Sequence, residues 1–381
     1  MVWVHNMLNK IKNIANAEDK KGCKMINVTK TYLPDKEKYK KYVDEIFESG
    51  WITNNGPMVK KLEKKLAEYL GVKNIILVSN GTAALEIAYR TLDIKGFAIT
   101  TPFSFVATTS SLVTNNILPI FADIDEKTLN IDLKNIKGLI TPNTSAIVPV
   151  HVFGNACDVE EIDKLAKENN LKVIYDAAHA FDVKYKGKSI LNYGDISTLS
   201  FHATKLFHTI EGGALIINDD SLVKKARELI NFGIENAESI PGLGINAKMN
   251  EFEAAMGLCM LDEMETIIDK RKTVYQRYQK ELNGVVKFQK QNEDSTQNYS
   301  YFPVIFESEK ELLKVQEALN QENINPRRYF YPSLDSLSYI EPKQKCEISR
   351  NISKRILCLP LYPELEKDIQ SKIINIIKDN I

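Results

Sequence analysis

Leu171-Lys172-Val173-Ile174-Tyr175-Asp176, followed 29 residues after Asp176 by the last residue of Ser200-Phe201-His202-Ala203-Thr204-Lys205, and then by Glu211-Gly212-Gly213-Ala214, is the part of the chain that decides the fold. An apolar run closed by a carboxylate reads as a buried parallel strand with its acid at the C-terminal end, where such sheets place their ligands. The same carboxylate could simply cap a following helix. Lys205 follows a second apolar run, Ile196 to Phe201, and Gly212-Gly213 permits a tight return into the next strand. A lysine after a strand is usually solvated. Here Phe201, Phe207, Ile210, Gly212, Gly213 and Ala214 surround it, and partial desolvation favours the free amine that imine chemistry requires.

Further out, short apolar runs alternate with helical patterns from Tyr39 onward. The expected strands are Asn74–Val78, Phe97–Thr100, Leu118–Phe121, Ala146–Val150, Lys172–Tyr175, Ile196–Phe201 and Ala214–Ile217. Val59, Leu62, Leu66 and Tyr69 have helical spacing between them. The pattern predicts an α/β protein with a mostly parallel sheet covered by helices on both faces. A helical stretch from Asn250 to Leu282 then predicts a spine leading into a smaller α+β part. That part has a strand over Tyr299–Phe306, a helix over Glu309–Glu322 and a last helix from Pro363. The expected division is an extension over 1–24, a large domain over 25–262 and a small domain over 263–381.

Ser79-Asn80-Gly81-Thr82 stands between a strand and a helix carrying Leu85, Ala88 and Leu92, so its N–H groups crown a helix start. Such a start seats an anion, although the same tetrapeptide is also an ordinary helix entry. Amine, acid and phosphate cradle together are what an aldehyde cofactor needs: a covalent anchor, a partner for its ring nitrogen and a seat for its phosphate. Phe105, after another strand end, could stack on a planar ring or belong to the core. His179, expected to begin a helix after Asp176, could reach a ring oxygen or serve as packing. His151 and His202 are equally ambiguous.

Fifty basic and fifty acidic residues leave no net field to draw the chain onto nucleic acid or an anionic membrane. Five scattered cysteines without a C-x-x-C pair indicate neither a disulfide framework nor zinc. No histidine spacing suggests a metal, so a reducing cytoplasm is the expected location. No run approaches the roughly 18 apolar residues of a membrane span. Residues 1–24 carry Lys10, Lys12, Lys20, Lys21 and Lys24 against Glu18 and Asp19, and His5 and Asn6 break the only early apolar run. A loosely ordered extension is expected there rather than a signal peptide, with a docked helix through Met7, Leu8, Ile11 and Ile14 as the alternative. No G-x-x-x-x-G-K-[ST] occurs, and Gly242-Leu243-Gly244 lacks the third glycine and the preceding strand of a dinucleotide fingerprint.

The segments Ser79–Leu85, Asp176–Ala180, Ser200–Ala214 and Gly244–Glu251, in this order, make the chain resemble the DegT/StrS-type sugar-nucleotide aminotransferases from about Met25 to its end. The resemblance implies the fold type I architecture with pyridoxal 5′-phosphate, passing through pyridoxamine 5′-phosphate, in a homodimer with shared active sites. By matching position it implies Lys205 as the Schiff-base lysine and proton shuttle, and Asp176 as partner of the ring nitrogen. His179 falls at the phenolic oxygen, Phe105 on the ring, and Gly81, Thr82 and Ser200 at the phosphate. Asn246 falls where the neighbouring subunit contributes. Val150-His151-Val152-Phe153-Gly154 departs from the pattern at Phe153. The stretch from Ile324 to Leu334 is similar to the subgroup making 4-amino-4,6-dideoxyglucose nucleotides, with glutamate as donor and a nucleotide-linked 4-keto-6-deoxyhexose as acceptor. By residue type, Lys248, Arg327 and Arg328 could meet the sugar diphosphate or be ordinary surface charges, and Tyr329 is a further candidate to meet the acceptor. A 3-keto acceptor, a dehydratase of the same family and a non-catalytic regulator are the alternatives, and Lys205 argues against the dehydratase.

Overall fold

The computed structural model describes residues 25–381, so the expectation for residues 1–24 lies outside the described residues. Its centre is a sheet of seven strands: β1 (Ile75–Val78), β2 (Phe97–Thr100), β3 (Leu118–Phe121), β4 (Thr144–Val148), β5 (Lys172–Asp176), β6 (Ile196–Ser200) and β7 (Gly213–Ile217). Their spatial order is β1-β7-β6-β5-β4-β2-β3. Strands β2 to β6 pair in parallel, and β7 runs antiparallel to both β1 and β6. The mostly parallel sheet follows from the sequence pattern, because strands buried on both faces read as unbroken apolar runs.

Along each strand successive side chains feed opposite cores. Ile75, Leu77, Ile147 and Val173 join one, packed under Leu62 and Leu66 of helix α1 (Pro57–Leu70). Ile76, Val78, Ala146 and Ile174 join the other, beneath Ala84, Leu85 and Ala88 of α2 (Gly81–Thr91). The run expected over Ala146–Val150 pairs over Thr144–Val148 instead, since Pro149 has no N–H with which to continue the ladder.

Two expectations need correction. The helical stretch from Asn250 to Leu282 is two helices, α5 (Glu251–Leu261) and α6 (Met264–Glu281), broken at Asp262–Glu263. At the break the Glu263 carboxylate accepts the Tyr32 hydroxyl at 2.5 Å and the Asp35 amide at 3.1 Å. Helices α3 (Val106–Thr114) and α4 (Val159–Glu168) lie earlier in the chain. The strand expected over Tyr299–Phe306 forms only as β9 (Pro303–Ile305), between β8 (Lys287–Phe288) and β10 (Ile356–Cys358) in an antiparallel sheet. Its first residues are diverted by Tyr299, at φ 56°, and by the Arg271 guanidinium, which takes the Tyr299 and Ser300 carbonyls at 2.9 and 2.6 Å. Helices α7 (Glu309–Gln321) and α8 (Lys367–Asn380) also belong to this region, with a further helix over Glu347–Arg355 between them, and α8 starts four residues later than Pro363 suggested.

Candidate active site

The parallel strands β5 and β6 end beside the start of α2, and a cavity of about 300 Å³ opens there. Asp176, the last residue of β5, is 7% exposed. Its carboxylate accepts the Thr108 hydroxyl at 2.7 Å and the Ala178 amide at 3.1 Å, and Thr108 in turn meets Ser104 at 2.7 Å. These bonds fix the carboxylate in place at the end of β5. No helix follows Asp176. The chain makes a turn in which the Ala180 amide donates to Ala177, so His179 sits in that turn rather than at a helix start.

His179 Nδ1 accepts the Phe153 amide at 3.2 Å, which leaves the ring proton on Nε2. Burial, reinforced by the charge of Lys205, holds its pKa well below that of an ordinary histidine, so the ring is neutral. Phe153, the departure noted in the sequence, packs at 6.1 Å from the His179 ring and 5.6 Å from those of Tyr301 and Phe330; its role is packing.

Lys205 comes from the turn after β6. The residue as a whole is only half-buried because the cavity opens to solvent, but its amine is enclosed by protein. Burial lowers the amine to about 8, against the opposing pull of the Asp176 carboxylate. Its hydrogen-bond partner is the Tyr301 hydroxyl, at 3.5 Å.

At the head of α2 the Asn80 side chain caps the Ala83 amide at 2.8 Å, while the Gly81 and Thr82 amides find no acceptor among the described residues. A Cβ at Gly81 would lie 2.8 Å from the Ser200 Cβ, so glycine is what lets the end of β6 approach the helix start. Two orphan N–H groups, a helix dipole and the nearby Ser200 hydroxyl fit a phosphate. Together with an enclosed amine and a fixed carboxylate they fit a phosphorylated pyridine aldehyde. Phe105, 51% exposed at the head of α3, lines the same cavity.

The structure thus brings Gly81, Thr82, Phe105, Asp176, His179, Ser200, Lys205 and Tyr329 around one cavity. It places three other candidates elsewhere. Asn246 is exposed on an extended segment bridged to Asn231, and Lys248, two residues on, lines a separate small cavity with Asn54 and Asn231. The Arg328 side chain is 14% exposed, paired with Glu309 at 2.8 Å and donating to the Lys354 carbonyl; it braces α7 and does not line the cavity. Its neighbour Arg327 does line the cavity, with its guanidinium over the Tyr329 ring at 4.7 Å. Sequence reasoning missed Thr108 and Tyr301. Thr108 had a weak signal in its place one turn after Phe105, and Tyr301 had none.

A parallel sheet carrying this amine and carboxylate at its C-terminal edge defines a fold type I aminotransferase. The chain belongs to the DegT/DnrJ/EryC1/StrS aminotransferase family, whose pattern matches residues 34–378. It is 44% identical over 363 residues to the dTDP-4-amino-4,6-dideoxy-D-glucose transaminase of Shigella dysenteriae, covering 93% of this chain and 99% of that protein. It is 34% identical to the GDP-perosamine synthase of Escherichia coli O157:H7, with 91% and 95% covered. Among solved structures it resembles DesI, crystallised in the presence of its TDP-sugar product, with a TM-score of 0.88, 30% identity, and 93% and 92% covered. Among the described residues no helix is long and apolar enough to cross a membrane.

Proposed function

We propose that the chain is a pyridoxal 5′-phosphate-dependent enzyme that moves an amino group from glutamate to a nucleotide-linked 4-keto-6-deoxyhexose, yielding a 4-amino-4,6-dideoxy sugar nucleotide. The observation that carries this reading is the enclosed amine of Lys205 in one cavity with the fixed carboxylate of Asp176 and the orphaned amides of α2. The 44% identity to a transaminase forming a sugar of that description supports the choice of acceptor.

Bound in this cavity, pyridoxal 5′-phosphate supplies a carbonyl for covalent attachment and an electron sink for the substrate carbon that loses its proton. Lys205 would be the covalent anchor for that carbonyl and, as a free amine, the base positioned to move the substrate proton. Asp176 keeps the ring nitrogen protonated, and an opposite charge at contact typically supports this by about 1–3 pKa units. Gly81, Thr82 and Ser200 hold the phosphate, Phe105 covers a ring face, and neutral His179 offers its Nε2–H to the phenolic oxygen.

Residues 25–262 form the cofactor-binding domain and 263–381 the smaller one. Asn246, exposed and not lining its own cavity, serves the site of a second copy in a homodimer. Arg327 and Tyr329 face the acceptor. The test is to incubate the protein with glutamate and a panel of dTDP-, UDP- and GDP-linked keto-deoxy sugars and to locate the new amine by NMR. A 4-amino product is expected, and formation of a 3-amino product alone would overturn the choice of acceptor.

A further inference from the structure

The Lys205 amine faces a group that neither strand ends nor motif assigns. Tyr301 is 8% exposed, and its hydroxyl has one hydrogen-bond partner among the described residues, the Lys205 Nζ at 3.5 Å. The phenol ring lies tilted against His179, with centroids 4.6 Å apart.

The chain around it is held unusually firmly for a segment outside regular structure. Arg271, 5% exposed, reaches from α6 to the two preceding carbonyls. The Asn298 amide group donates to the His179 and Phe181 carbonyls, both at 2.8 Å. The same short segment therefore fixes the turn that bears His179 and the phenol that meets Lys205. A buried guanidinium spent on carbonyls rather than on a carboxylate is a costly way to hold a loop unless its position matters.

Resting on the function proposed above, we infer that Tyr301 is a positioning residue for Lys205: its hydroxyl keeps the amine oriented toward the cavity both as ammonium and as free amine. A hydroxyl suits this task because it accepts from an ammonium and donates to a neutral amine, so the partnership survives each proton transfer. Burial raises the Tyr301 pKa, so the phenol stays neutral over the working range. Without this partner the amine is drawn toward Asp176, whose charge is the opposing one it feels.

The experiment compares cofactor-free wild type with Tyr301→Phe in two bindings. Covalent capture of pyridoxal 5′-phosphate needs an oriented amine, whereas pyridoxamine 5′-phosphate binds without a covalent bond and reports on the rest of the cavity. Loss of one hydrogen bond predicts capture slowed about fivefold to tenfold, with pyridoxamine 5′-phosphate affinity and melting temperature unchanged. In turnover kcat should fall in both half-reactions by a similar factor, with KM for the sugar unchanged. Wild-type capture in the variant overturns the inference, and so does a parallel fall in both affinities, which would mark a structural role. A raised sugar KM with normal capture overturns it too, by making Tyr301 a sugar contact. Lys205→Ala, run alongside, separates the two levels: if it still transaminates, the proposed function fails, whereas if it is inert and Tyr301→Phe is normal, only the role of Tyr301 fails.

Discussion

The two walls of the Lys205 cavity are built differently. On the sheet wall Asp176 closes β5, Ser200 closes β6 and Gly81 opens α2, while His179 and Lys205 follow on the turns just past those strand ends. On the facing wall, Tyr301, Arg327 and Tyr329 come from irregular chain whose course is set by side chains, above all Arg271 and Asn298. The first wall is positioned by topology, the second by packing. A group at a strand end is held by the hydrogen-bond ladder of the sheet, whereas one on the facing wall depends on the side chains that pin its loop, and such chain can change without disturbing strand order.

The largest effect should come from the sheet wall. Lys205→Ala should abolish covalent capture of the cofactor and reduce transamination at least about a thousandfold, read from the loss of the imine absorbance and from 2-oxoglutarate formation. Retained activity would break the contrast at its root. Asp176→Asn keeps the shape and the Thr108 contact but removes the charge, so turnover should fall about 10- to 1000-fold, the equivalent of 1–3 pKa units. Pyridoxamine 5′-phosphate affinity measured in parallel shows whether the cavity survives the change.

A third measurement uses pH. Since burial lowers Lys205 to about 8, its amine is mostly protonated below that value and free above it. Capture of the aldehyde by cofactor-free protein should therefore rise about tenfold per pH unit up to about 8 and then level off. A flat profile would show that the amine is not the titrating group.

The smallest effect concerns the back of the sheet wall. His151, whose backbone amide donates to the Asp176 carbonyl at 3.2 Å, is fully buried and pushed by burial to about 3. Its Nδ1 accepts the Cys157 amide at 3.1 Å, and its Nε2 has no partner among the described residues. The unfolded chain takes up this proton near pH 6.5 and the folded chain does not, so stability is lost as pH falls from about 6.5 toward 3. The slope is up to about 1.4 kcal/mol per unit. Urea unfolding of His151→Gln over that range should show a shallower acid slope than wild type, and an unchanged slope would assign the loss to other groups.

The same contrast explains what could be read in advance. The sheet strands, the seat at Gly81 and the Asp176–Lys205 pair were legible because apolar runs, their ends and the residue at each end are local properties of the chain. Thr108 and Tyr301 were not, since each owes its place to a partner far off in sequence, 68 residues from Asp176 and 96 from Lys205. Arg327 and Arg328 are indistinguishable by type, and it is the Glu309 carboxylate on α7 and the Lys354 carbonyl, both distant in sequence, that hold Arg328 against the fold. The break at Asp262–Glu263 escaped notice for the same reason: what stabilises it is Tyr32, more than two hundred residues away.

That break has a further consequence through the arm that supports it. Ile26–Asn27 lies parallel to Ile324–Asn325, the Val28 carbonyl accepts the Leu361 amide at 3.1 Å, and the Tyr32 carbonyl accepts His208 Nε2–H at 2.8 Å on the Lys205 turn. The earliest described residues are thus seated by some of the latest. On a translating ribosome Ile26–Asn27 has no partner strand until residue 325 has emerged, whereas Tyr32 can already meet Glu263 and His208, so the arm docks in two stages, first beside the Lys205 turn and later at its N-terminal end.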